Sequence, residues 1–383
     1  MMSDTPADPN RGAAGTEVQT LLALRALGHE VDAIWSEDLG RRIRHGNLHI
    51  LLEQPRSYER AAVAALRRKT YDVVHVSQPH GFRAARAVHR LSPGTVFIHR
   101  SHGFELNLAI TLKPWLEKLG SDERSPIRRA ATRLLAPLLA RHAYAIAREA
   151  DGHIVSSSGD CTFLHERLGV PRERIAVIPQ AVPDSFLQKD PPPMDTDRLR
   201  RVLYVGQFAF VKGPMIGAEA LNHVALAKPD LRFTWVCDRA SENSIRALLT
   251  TEANALLDVL PWTTQDALRD IYDAHGIFLF PSFFEGFGKA FLEAMSRGLC
   301  VVASDVGGMH DVIESGRNGI LVRPGDADAL TDAALTIIGD PDRAAAMSSA
   351  AAGTARRYTW DRVARETADF YRARLAVRAA MRR

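Results

Sequence analysis

The sequence predicts an α/β protein of two doubly wound parallel-sheet domains, Rossmann-like in construction and facing each other across a cleft. Three observations predict it. At 383 residues the chain is longer than one ordinary hydrophobic core supports. Short apolar, β-branched runs alternate with helical stretches along its length, the pattern of a parallel sheet covered on both faces. A polar segment with three consecutive prolines, LQKDPPPMDTDRL from Leu187 to Leu199, splits that alternation into two series and reads as a stiff linker.

In the first series, strands are expected at Glu30–Trp35, Asp72–Val76, Thr95–Arg100, Gly152–Ser156 and Ile175–Pro179. Helices are expected at about Thr16–Leu27, Ser57–Arg68 and Arg83–His89. A long helical region follows from Leu112 to Ala150, broken near Gly120–Pro126 and perturbed at Pro137. The opening Met1-Met2-Ser3-Asp4-Thr5-Pro6 reads as the end of a strand and its loop, so the native chain is expected to begin further upstream. In the second series, strands are expected at Val202–Gly206, Phe233–Cys237, Ile277–Phe280, Cys300–Ala303 and Ile320–Val322, with helices between them. The domains are placed at 1–190 and 198–361, with a last helix, about 362–383, returning to complete the first.

Composition excludes several classes. No run of 18 apolar residues is present, so no membrane-spanning helix is expected. Cys161, Cys237 and Cys300 are scattered without CxxC spacing and read as buried thiols of a reducing, cytoplasmic protein. They form no zinc set with His99 or His102. Residues 41–140 hold 18 Lys or Arg against 7 Asp or Glu, including Arg41, Arg42, Arg44, Arg67, Arg68, Lys69, Arg128, Arg129 and Arg133. Such a block is either an ordinary solvated surface or a peripheral contact with anionic lipid or an anionic acceptor. It lacks interleaved aromatics and any recognisable nucleic-acid motif, so no nucleic-acid partner is expected.

Ligands of open α/β sheets sit outside the carboxyl ends of the strands, so chemistry is expected in loops just after strands. Four such loops stand out. The first, Pro281 to Asp305, runs from a strand through Gly286 and Gly288 into a helix and on to a second strand. Amides converge on an anion at a turn of this kind. Glu285 and Glu293 bracket it, which suggests a ligand with hydroxyls as well as phosphate. Glu293, set among Phe291, Leu292, Ala294 and Met295, needs polar partners. The second loop, Gly206 to Gly213, places Lys212 beside Gly213 at a helix start. There an ammonium adds charge for a phosphate, although a surface lysine in a turn is the plainer reading. The third, Arg11-Gly12-Ala13-Ala14-Gly15-Thr16-Glu17, admits close backbone approach or is simply flexible. The fourth, Arg100 to Glu105, carries His102, either a cleft residue or a structural hydrogen-bonder.

These residues resemble the family 4 glycosyltransferases, retaining enzymes of the GT-B fold, over nearly the whole chain. The most specific mark is the Glu-x7-Glu element, Glu285 to Glu293 in EGFGKAFLE, followed by AMSRGLCVVASDVGG. Supporting matches are GTEVQTLLALRALGHEV from Gly15, the DVVHV strand, His102-Gly103, Lys212-Gly213, Asn318-Gly319, Pro324-Gly325-Asp326 and Tyr358-Thr359-Trp360.

The resemblance implies transfer of a sugar from a nucleoside-diphosphate sugar to the hydroxyl of a carbohydrate, lipid-linked or small-molecule acceptor. It implies no cofactor and no essential metal. By the same resemblance, Lys212 holds the donor diphosphate, and Gly286, Phe287, Gly288 and Lys289 offer amides to the same phosphates. Glu293 binds the ribose hydroxyls and Glu285 the donor sugar. Gly15 lines the phosphate, and His102 lies near the transferred sugar. Gln207 stands where the family usually has arginine, one cation fewer beside the phosphates. That departure keeps open a subunit that binds a sugar nucleotide without transferring it; a sugar-nucleotide epimerase on the same architecture is the other rival.

Overall fold

The computed structural model describes residues 1–9, 12–120 and 126–383, with side chains described outside 126–133. Arg11, most of the expected break at 120–126, and the side chains of Arg128, Arg129 and Arg133 therefore lie outside the described residues. The chain forms two units. One comprises Met1–Ile110, Leu116–Pro179 and Trp360–Arg383, the other Thr111–Trp115 and Gln180–Thr359.

The first unit is built on four parallel strands in sequential order: β1 (Val73–Ser77), β2 (Val96–Arg100), β3 (Gly152–Val155) and β4 (Ile175–Val177). Val73 stands opposite Val96, Ile98 opposite Gly152 and His153 opposite Ile175. Met2 bridges Val76 of β1 on one side and Ile34 on the other. The strand expected at Glu30–Trp35 shrinks to that single bridge. Its partner there is Met1–Ser3 alone, through Ser3 N–H to Ile34 O (3.0 Å) and Ile34 N–H to Met1 O (2.9 Å). With one short neighbour and the polar Glu30 and Asp32 turned to Lys69, a longer ladder has nothing to pair with.

Helix α1 (Gly12–Ala26) begins earlier than expected, so Gly15 sits inside its first turns and not in a loop. Helix α2 spans Gln54–Leu66 and α3 spans Phe82–Leu91. Helix α4 (Glu105–Leu119) starts well before Leu112 and ends on Gly120 in the left-handed conformation (φ +64°). Helix α5 (Pro126–Glu149) runs through Pro137 without a break, and α6 spans Ser158–Leu168. Helices spanning Ala327–Gly339 (α10) and Pro341–Ala355 (α11) precede the final helix, α12 (Trp360–Ala380), which packs Ala364 and Ala368 against Leu24 of α1. Its Arg378 donates to Asp151 (2.9 Å) and its Arg374 to the Glu173 carbonyl (3.2 Å).

The second unit holds six parallel strands: β5 (Arg201–Val205), β6 (Arg232–Cys237), β7 (Leu257–Pro261), β8 (Ile277–Phe280), β9 (Cys300–Ser304) and β10 (Ile320–Val322). Their order is β10-β9-β8-β5-β6-β7. The chain winds outward from β5 through β6 to β7, then returns to the other side of β5 with β8. The strand order therefore reverses between β5 and β8, where such sheets open a crevice for ligands. β7 was not anticipated: LDVLP is short, carries an acid and ends in proline, and it survives as an edge strand beside β6. Phe233, Trp235, Ile277 and Val302 form the core beneath the sheet.

The proline-rich segment is bound to this unit and is no free linker. Arg297, 1 % exposed, donates to the carbonyls of Phe186 (2.8 Å), Lys189 (2.7 Å) and Asp190 (3.2 Å). Arg198 donates to the Pro193 carbonyl (3.3 Å) and to His275 O (3.1 Å). These buried guanidiniums satisfy backbone carbonyls of a segment that joins no sheet ladder, and the division between units falls ahead of the segment, at Pro179 and Gln180. All three cysteines are buried and free.

Candidate active site

The reversal point of the second sheet brings two loops together. After β5 the chain turns through exposed Gln207, makes a tight 3-10 turn at Phe210–Lys212, and passes Gly213 into helix α7 (Pro214–Ala227). Gly213 has φ +63°, and a Cβ there would lie 2.1 Å from the Pro281 carbonyl oxygen. Only glycine permits both that conformation and that approach. Phe283 N–H donates to Val211 O at 2.9 Å, tying the loop after β8 to the same turn. The Tyr204 hydroxyl donates to the Lys212 carbonyl at 2.7 Å, and its ring stacks on Trp235 with centroids 4.1 Å apart.

The lysine is thereby aimed. Lys212 Nζ donates to Glu285 Oε1 at 2.6 Å and lies 5.9 Å from the centroid of the Phe280 ring. The Ser282 hydroxyl donates to the same Oε1 at 2.8 Å. Glu285 is 8 % exposed, whereas the Lys212 side chain keeps 25 % of its surface open. A partly open ammonium beside a crevice is suited to an anion, and Glu285 holds it there.

Gly288 (φ +92°) caps helix α8 (Lys289–Ser296), with no side chain closing the helix start. Its first amides therefore look for an acceptor, which a phosphate supplies. Gly307 and Gly308, at the start of helix α9 (Gly307–Val312), hold the turn from behind. A Cβ on Gly307 would meet the Glu285 carbonyl oxygen at 2.3 Å, and one on Gly308 the Phe287 ring at 2.4 Å. Phe287 contributes backbone alone to any ligand, since its ring is buried against Phe291 and Tyr358. Glu293, one turn into α8, accepts from the Tyr272 hydroxyl at 3.3 Å. Burial raises its pKa, opposed by the charge of Lys289 and the Tyr272 bond. Burial in turn lowers the pKa of Lys289.

Gly15 and His102 belong to the first unit. His102 Nε2 lies 2.5 Å from Glu17 Oε1, and Glu17 Oε2 faces His75 Nε2 at 3.9 Å. His75 Nδ1 bonds the Tyr371 hydroxyl of α12. Burial disfavours the Glu17 carboxylate, yet the His102 bond and the charge of Arg100 hold it well below the usual carboxylate range. Burial keeps His75 neutral, with a pKa of about 3. Fully buried Arg100 donates to Thr20 Oγ1 at 3.2 Å.

Seven of the residues singled out in the sequence, namely Lys212, Glu285, Gly286, Phe287, Gly288, Lys289 and Glu293, thus lie on the turns after β5 and β8 and on helix α8, with Gln207 exposed just after β5. Ser282, Tyr204, Gly307, Gly308, Glu17 and Tyr371 were not assigned roles from sequence. Glu17 had a usable signal: it lies with Thr20, Leu21 and Leu24 on the buried stripe of α1, an acid where apolar residues belong. Among the described residues, no cluster of three or more His, Cys, Asp or Glu side chains is placed to hold a metal ion.

Comparison with known proteins agrees with the architecture. Residues 12–186 match the family described as Glycosyltransferase Family 4, and residues 200–340 that described as Glycosyl transferases group 1. D-inositol 3-phosphate glycosyltransferase of Corynebacterium urealyticum is 27 % identical over 248 residues, 60 % of this chain and 58 % of its own. That of Nocardiopsis dassonvillei is 30 % identical over 253 residues, covering 61 % of this chain and 58 % of its own. The matched region thus spans less than two thirds of these relatives. Sucrose-phosphate synthase from Thermosynechococcus elongatus is similar in structure, with a TM-score of 0.75, 21 % identity and 98 % of each chain covered. Anabaena HepE in complex with UDP and glucose gives 0.67 and 18 %, with 96 % of this chain and 97 % of HepE covered. Both likenesses are of fold.

Proposed function

The chain belongs to the family 4, group 1 glycosyltransferases, and from that premise we propose that it moves a sugar from a nucleoside-diphosphate sugar to an acceptor hydroxyl with retention of configuration. One observation carries the proposal: the Lys212 ammonium and the open start of helix α8 converge where the strand order of the second sheet reverses. Together they stabilise the negative charge that builds on a leaving diphosphate. Glu293 offers its carboxylate to ribose hydroxyls, and Glu285 has a second oxygen for the donor sugar. The bond from the acceptor oxygen to the anomeric carbon forms on the face from which the phosphate departs. The acceptor proton passes to the departing phosphate oxygen, so the reaction needs no separate protein base. No step is assigned to a metal. The complex of HepE with UDP and glucose supports a uridine nucleotide as the first donor to try.

The test is a thermal-shift panel of nucleoside diphosphates and their sugars, followed by product analysis with the best stabiliser. Stabilisation by one base, and a product of retained anomeric configuration, are expected. Lys212→Ala is expected to lower transfer about 10²–10³-fold. Glu293→Ala is expected to weaken nucleotide binding about tenfold or more. Full activity in both variants refutes the assignment. The exposure of Gln207, which brings no cation to the crevice, is what favours a binding subunit without transfer; donor turnover by the wild type excludes it. The exposed Arg41, Arg42, Arg44, Arg67 and Arg68 also suit an acceptor held at an anionic lipid surface, with salt-sensitive binding to anionic vesicles as the check.

A further inference from the structure

We propose that the Lys289 side chain is a second cation of the donor site, its ammonium holding the phosphate next to the ribose while Lys212 holds the phosphate next to the sugar. This rests on the glycosyltransferase reading above and gives Lys289 a contact beyond its backbone amide. Residues 206–213 and 281–312, which make the turns after β5 and β8 and helices α8 and α9, carry four basic side chains: Lys212, Lys289, Arg297 and His310. Three of them are committed. Lys212 donates to Glu285 at 2.6 Å. Arg297 donates Nε to Asp273 Oδ1 at 2.6 Å, besides the carbonyls it satisfies near the proline-rich segment. His310 Nδ1 lies 2.7 Å from Asp305 Oδ1. The Lys289 ammonium makes no hydrogen bond and no ion pair among the described residues. The residue is partly exposed, and its ammonium is not sealed in the interior.

Lys289 is the first residue of α8, and Glu293 follows four residues on, on the same helix face. Phe291, Ala294 and Met295 take the other face and are fully buried. Burial disfavours the ammonium and the Glu293 charge favours it. A phosphate at the open start of α8 adds to the favourable side. The order of groups in the donor is ribose, α-phosphate, β-phosphate, sugar. Glu293, set to the ribose, marks one end, and Glu285, set to the sugar, marks the other. Lys289 is the neighbour of Glu293 on α8, and Lys212 is the partner of Glu285. The two cations therefore sort onto the two phosphates in that order. The distinction has a chemical consequence. The bond that breaks joins the anomeric carbon to a β-phosphate oxygen, so negative charge grows on the β-phosphate. The α-phosphate keeps its charge through the reaction. A cation on it binds ground state and transition state alike, which lowers KM and leaves kcat unchanged.

The binding probes are UDP, UMP and uridine, replaced by the guanosine or adenosine set if that base stabilises the protein more. Lys289→Met keeps the amide and removes the charge. It is expected to weaken UDP and UMP alike, by about tenfold, and to leave uridine within about twofold. Lys289→Arg is expected to stay within about threefold of the wild type on all three probes. Lys212→Ala is expected to weaken UDP and to leave UMP within about threefold. In transfer, Lys289→Met is expected to raise the donor KM about tenfold with kcat within about threefold, whereas Lys212→Ala lowers kcat. Melting transitions establish that each variant is folded. An equal loss on uridine would mean that Lys289 serves only to set Glu293, and it overturns the proposal. So does unchanged UMP affinity in folded Lys289→Met, a loss of kcat with KM unchanged in that variant, or a Lys212→Ala loss as large on UMP as on UDP. In each case the glycosyltransferase reading stands. A wild type that neither binds a nucleoside diphosphate nor turns over its sugar overturns both.

Discussion

Lys212 and Glu285 lie 73 residues apart in the chain and meet through a 2.6 Å hydrogen bond. The pairing does two things. It holds a long, flexible ammonium at the turn after β5, where the proposed reaction puts the diphosphate, and it gives a nearly buried carboxylate a cation and the Ser282 hydroxyl as partners. Residues that share one bond do not act independently. In a double-mutant cycle on kcat/KM, Lys212→Ala and Glu285→Gln together are therefore expected to cost less than the sum of the two. A coupling of at least about 1 kcal/mol is expected, whereas additive losses would separate the roles of the two side chains. His102 and Glu17 form the corresponding pair of the first unit, with His75 and Tyr371 behind them.

At the scale of elements, the turns after β5 and β8 form one device. Gly213 presses on Pro281, Phe283 bonds Val211, and Gly307 presses on Glu285. Neither glycine contact leaves room for a methyl group. Gly213→Ala combines a left-handed backbone with a carbonyl clash, a loss on the order of 3 kcal/mol. The variant is expected to melt lower and to lose stabilisation by nucleoside diphosphates; unchanged nucleotide binding would mean that the turn does not shape the site. The start of α8 was legible from sequence because glycines followed by a helix-forming run have a local meaning. The support given by Gly307 and Gly308 was not, because it depends on which loop packs over them.

For the whole molecule, the buried carboxyls make stability depend on pH. Burial raises the pKa of Glu105 from 4.5 to about 8, with help from Asp4 and Asp160. A folded-state pKa above the unfolded value contributes stability that is complete below the unfolded pKa and is lost as pH rises through the folded one. Between about pH 4.5 and 8, Glu105 therefore progressively destabilises the fold. Glu105→Gln is expected to melt like the wild type near pH 4 and higher above pH 8, by a few kcal/mol in stability. Melting curves that stay parallel across that range would show that Glu105 ionises freely.

What the sequence by itself determined is whatever depends on near neighbours along the chain. Apolar runs of strand length gave nine of the ten strands among the described residues, glycines before helix formers gave the turns after β5 and β8, and the Glu285 to Glu293 element gave the family. The failures share one cause. The Glu30–Trp35 strand, the edge strand β7 and the proline-rich segment were decided by what lies beside them: Met2 alone, β6, and the guanidiniums of Arg198 and Arg297. Only the tertiary structure joined Lys212 to Glu285, His102 to Glu17 and Gln54 to Asp4. A side chain's partner is set by sheet order and by the direction of each loop. Those follow from packing distant segments together, which no local pattern of residues contains.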